Sequence, residues 1–123
     1  MDEDEDYFNL ANFELFGTPR KFGNNVPITM SLGVLTLNLH LAGCTSLKEK
    51  RRRLKPLIHR LHREFNISVA EVDSQDKWQE AVIACALISN DSNHTQRSLQ
   101  DVIRWIDRSW PDVTLLDDHI EIV

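Results

Sequence analysis

The chain has 123 residues, 41% hydrophobic and 27% charged, enough apolar material for one small packed domain and too much for wholesale disorder. No apolar run reaches the ~18 residues of a membrane span, and the acidic start MDEDED lacks the basic-then-apolar order of a secretory signal. The formal charge of −5 is unevenly placed: residues 1 to 29 hold six acids and two bases, a net −4, and the other 13 acids and 12 bases leave −1, so the overall acidity does not argue against a nucleic-acid partner for the rest of the chain.

Residues 1 to 29 combine the acid run, a short apolar patch YFNLANFELF and the turn-rich GTPRKFGNNVP, which reads as an acidic, largely flexible N-terminal extension. Its charge suggests that it folds back on the chain's own basic helix, residues 47 to 65, and competes with RNA there. Met30 opens regular periodicity and is a second candidate start. In LGVLTLNLHL, Leu35, Leu37, Leu39 and Leu41 alternate with Val34, Thr36, Asn38 and His40, the pattern of a strand with one buried face. AGCTS follows as a loop. Ser46 and Glu49 match S-x-x-E, a capping box, so a helix is predicted from Leu47. Leu47, Leu54, Leu57, Ile58, Leu61 and Phe65 form its apolar stripe. Pro56 removes the hydrogen bond to the Arg52 carbonyl and is expected to kink or loosen this helix.

NISVAEV reads as a second strand, DSQDK as a turn, and WQEAVIACALIS as a third strand whose nearly unbroken apolar run suits a central position. NDS offers caps for a second helix with Leu99, Val102, Ile103, Ile106 and Trp110 inward, stopped by Pro111. VTLLDDHIEIV closes the chain as a strand with Ile120 and Ile122 inward. The order βαββαβ predicts an α+β, ferredoxin-like sandwich over residues 30 to 123: four antiparallel strands, the first and third central, and two helices on one face.

The chain from roughly residue 30 to 123 resembles the YlxP-like family, a bacterial domain of unknown function. SLKEKR at the helix start, FNISVAEVD into the second strand and DKWQEAVIACALISND across the third carry the resemblance. It implies a ferredoxin-like fold. It also implies a genetic setting of transcription termination, translation initiation and ribosome maturation, and a suspected RNA partner with no established activity. The acidic leader and Pro56 depart from the family pattern.

Lys48, Lys50, Arg51, Arg52 and Arg53 put five bases into six positions at the predicted helix start. Cations there oppose the helix macrodipole by ~0.3–1 kcal/mol each, so local stability does not explain them. Dipole and side chains add to one positive field suited to phosphate. At ~100° per residue Lys48, Arg52, Lys55, His59 and Arg63 share a face opposite the leucine stripe, with Arg53 and Arg60 beside it. Pairing at i,i+4 (Glu49 with Arg53, Arg60 with Glu64) absorbs few of these charges. The expected function is therefore a non-enzymatic, cytoplasmic accessory protein. It binds structured RNA, with ribosomal RNA as one candidate, through Lys48, Lys50, Arg51, Arg52, Arg53, Lys55, His59 and Arg63. The first and third strands carry no aromatic residue, so base stacking on the sheet is not expected. The alternative is a homodimeric interaction domain that uses the open sheet face.

Glu71, Asp73 and Asp76 surround the predicted hairpin turn, with Glu71 and Asp73 expected on one strand face, a secondary polar site for a divalent metal or for an uncharacterised enzyme. Acids at such a turn more often serve solubility. His59 and His62 have a zinc-compatible spacing without a completing ligand, so no metal or cofactor is expected. Cys44 and Cys85 form no C-x-x-C pair and read as reduced thiols. An acylphosphatase cradle needs an arginine in the first loop, and AGCTS has none. Trp78 and Trp110 are expected to pack at element ends, and Trp105 to lie partly exposed off its helix stripe.

Overall fold

A computed structural model describes residues 20–22, 26–74 and 76–123. A short antiparallel ribbon pairs β1 (Arg20–Phe22) with β2 (Val26–Ile28). The remainder of the proposed extension, including the acid run expected to fold back, lies outside the described residues. Then follow β3 (Ser31–His40), α1 (Leu47–Phe65), β4 (Ser68–Asp73), β5 (Glu80–Ser89), α2 (Ser92–Ser109) and β6 (Thr114–Ile122). The last four strands form one antiparallel sheet in the order β4-β5-β3-β6. With α1 and α2 on one face this is the ferredoxin-like βαββαβ arrangement, and the most apolar strands, β3 and β5, are the central ones.

Strand period explains the core. Leu35, Leu37 and Leu39 point to the helices and pair with Cys85, Ile83 and Ala81, and all six are fully buried. Leu54, Leu57 and Leu61 of α1 and Leu99, Val102 and Ile106 of α2 close over them. α2 comes closest at Gly33, where a Cβ would run into Thr95 Cγ2 and stand 2.8 Å from Leu99 Cδ1. Ile120 packs against the core as expected, whereas Ile122 lies at its rim, 36% exposed.

α1 starts where the capping box places it. Ser46 Oγ accepts from the Glu49 N–H at 3.1 Å, while the reciprocal Glu49 carboxylate bond lands on the Thr45 N–H at 2.8 Å, one residue before the cap. The helix continues through Pro56 to Phe65 and ends at Asn66, whose left-handed φ of 49° and N–H bond to the His62 carbonyl close the last turn. Asp91 caps α2, accepting from the Asn93 N–H at 3.0 Å.

Candidate nucleic-acid interface

α1 holds eight bases and two acids, a formal +6, and only four of the 12 bases after residue 29 lie elsewhere. The sequence expectation gave all of the first-turn bases to one outward field. The structure separates them. Lys48, Arg51, Arg52, Lys55, His59 and Arg63 are exposed, and Arg52, with 78% of its side chain in solvent, is only 4.0 Å from Glu49.

Lys50 is a correction. It is 1% exposed, and its ammonium meets Glu71 Oε2 at 2.7 Å and donates to the carbonyls of Ser74 at 2.5 Å and Lys77 at 2.8 Å. The helical period explains the placement, because Lys50 stands on the stripe of Leu54, Leu57 and Leu61. Its charge is neutralised inside the fold, and the turn after β4 is anchored by it.

Arg53 is a second correction. Its guanidinium forks onto Asp112, with Nε at 3.0 Å from Oδ2, and donates to the carbonyls of Ala42 and Asp112, both at 2.8 Å. Asp112 holds the Arg53 pKa above its ordinary value. Arg53 thus clamps the loop after β3 to the segment after α2, and its expected partner Glu49 turns to Thr45 instead. Arg60 does pair with Glu64, at 3.4 Å, and also lies over the Trp105 ring, 5.5 Å from its centroid.

The three acids expected as a secondary site are not brought together. A β-bulge between Glu71 and Asp73 sets Glu71 opposite Ile83 on the helix face and Asp73 opposite Val82 on the other face. Glu71 is engaged by Lys50, Asp73 accepts from the Ser74 N–H at 2.7 Å, and Asp76 is exposed in the turn. Among the described residues no group of three or more His, Cys, Asp or Glu side chains has metal-holding geometry. Cys44 and Cys85 are buried free thiols, and burial pushes Cys85 up to about 12.

Of the tryptophans, Trp105 is partly buried and Trp110 packs against the core at the end of α2, both as expected, whereas Trp78 differs. Trp105 makes a T-shaped contact with Phe65 at 6.0 Å and stacks with Trp110 at 5.9 Å, so its contacts are internal. Trp78 is 51% exposed in the turn two residues before β5. No described helix is long and apolar enough to cross a membrane.

Residues 32–120 match the model of a family described as "Protein of unknown function (DUF503)". The chain belongs to this family. Over 68 residues it is also 40% identical to the "Uncharacterized protein YlxP" of Bacillus subtilis (strain 168), covering 55% of this chain and 73% of that relative. This agrees with the family resemblance carried by SLKEKR, FNISVAEVD and DKWQEAVIACALISND.

Proposed function

We propose that the domain is an accessory protein that binds structured RNA through the outward face of α1. Lys48, Arg51, Arg52, Lys55, His59 and Arg63 meet backbone phosphates there. The observation that carries the reading is the concentration of exposed positive charge on one helix of an otherwise acidic chain. Outside α1, residues 30–123 hold four bases against 11 acids, so an anion is attracted to one side of the molecule and repelled elsewhere. The helix N-terminus adds its own dipole to that field. A sheet without aromatics on its central strands leaves backbone and shape as the features recognised. Ribosomal RNA is the partner that fits the genetic setting implied by the family resemblance.

The test is ultraviolet crosslinking of RNA to the protein in cells, with Arg51→Glu/Arg52→Glu as control. Arg53 is left alone because its reversal would break the clamp to Asp112. The reading expects crosslinked RNA with the wild type and a several-fold loss with the double variant. Equal crosslinking by both proteins would reject α1 as the contact surface.

A second reading has one observation of its own. The sheet face away from the helices carries Val34, Val82, Ala84 and Ala86, all half-buried, and Ile88, 66% exposed. Such a surface suits apolar contact with a second copy. Self-association that ignores salt, seen by sedimentation, would favour it over the first.

A further inference from the structure

We propose that Trp78 is a base-stacking residue, so that the RNA surface of α1 continues around the helix start onto the β4–β5 hairpin and takes an unpaired nucleobase there. This rests on the RNA-binding reading and adds a contact to it. An exposed tryptophan alone needs no explanation. Here the way it is held points to a ligand. Both sides of the turn are pinned: Lys50 of α1 holds the carbonyls of Ser74 and Lys77, and in the loop after β3 the Leu41 N–H donates to the Gln79 carbonyl at 2.9 Å while the Cys44 carbonyl accepts from Gln79 Nε2 at 3.4 Å. A fully buried lysine is thereby committed to fixing the backbone immediately before Trp78. The indole, half in solvent, is carried on backbone that is hydrogen-bonded at Lys77 and Gln79 on either side of it.

Its surroundings fit a base better than a phosphate. Trp78 lines a shallow concavity with His40, Asp76, Lys77, Gln79 and Glu80. Asp76 and Glu80 repel phosphate oxygens but accept hydrogen bonds from the exocyclic amines of adenine, cytosine or guanine. Lys77, 61% exposed and 3.3 Å from Glu80, offers a donor at the rim. Phosphates are drawn instead to α1. Arg51 falls on the flank of that helix away from α2, towards β4, at ~100° per residue. Cationic residues along a strand's backbone and an aromatic platform for one of its bases are the two parts of a single-strand site.

The experiment measures fluorescence anisotropy of the full chain with a labelled 12-nucleotide adenine-rich single strand and with a labelled 12-base-pair RNA duplex, at low salt. Trp78→Ala is expected to weaken single-strand binding about ten-fold, in the range of one lost stacking contact, and to leave duplex binding within two-fold. Trp78→Phe should restore most of the single-strand affinity. Circular dichroism of an exposed-site variant checks that the fold is kept. Wild-type affinity in Trp78→Ala, with Arg51→Glu/Arg52→Glu still weakened on both probes, would overturn the stacking role and leave the α1 reading standing. Failure of the wild type to bind either probe would overturn both.

Discussion

At the scale of single residues, Lys50 decides most. A buried lysine is costly unless paired and fully hydrogen-bonded, and here one carboxylate and two carbonyls complete its shell. Lys50→Met should remove about 3 kcal/mol of stability in urea denaturation, the low end of the usual range because Glu71 keeps 20% of its side chain in solvent. Lys50→Met/Glu71→Leu should recover much of that, and a single variant as stable as wild type would contradict the assignment. The position was legible in the sequence, since Lys50 shares the stripe of Leu54, Leu57 and Leu61. Its residue type pointed to solvent and prevailed. Arg53 was not legible in the same way, because its partner Asp112 is 59 residues away. Glu49 makes a second prediction. The Thr45 N–H holds its carboxyl below the ordinary 4.5, so the folded pKa lies under the unfolded one. Its contribution is therefore present in full above the unfolded value and is lost as pH falls through the folded value. Glu49→Gln keeps an acceptor that does not titrate. The Tm advantage of wild type over this variant should shrink as pH is lowered below about 4.5, and an advantage that grew on acidification would contradict the cap geometry.

At the scale of elements, α1 is built against its own dipole. Lys48, Arg51 and Arg52 occupy the first two turns, are exposed, and oppose the partial positive charge of the helix start. Lys48→Glu, in the first turn, should therefore raise stability by about 0.3–1 kcal/mol in thermal or urea unfolding, while weakening RNA binding. A variant that lost stability would show that these cations serve the fold. The helix itself was readable from its capping box and its leucine period, and Pro56 does not end it. The bulge in β4 was not readable. Alternation assigns Glu71 and Asp73 to one face, and one extra residue sends Asp73 to the other. The misplacement of Trp78 has a similar origin. Its backbone position follows from a lysine 28 positions earlier, and nothing in the local sequence around DKWQE records that contact.

At the scale of the whole molecule, fold and charge follow different rules. The βαββαβ order, the central β3 and β5, and the inward leucines all came from periods of two and 3.6 residues, because burying those faces leaves few other topologies. Charge pairing is long-range: the helical period places Lys50 inward but does not name Glu71, and nothing local records the pairing of Arg53 with Asp112, so two bases read as outward brace the structure. What remains outward is still a helix of one sign on a domain of the other. That polarity predicts an association driven by counterion release. The most direct measurement is the affinity of the full chain for a structured RNA fragment across a salt series. With about five phosphates contacted, log K should fall against log salt with a slope of about −3 to −5, and Lys48→Glu/Arg52→Glu should flatten it by about 1.5 or more. An affinity indifferent to salt, or a slope unchanged by the two reversals, would contradict the claim that α1 exists to meet phosphate.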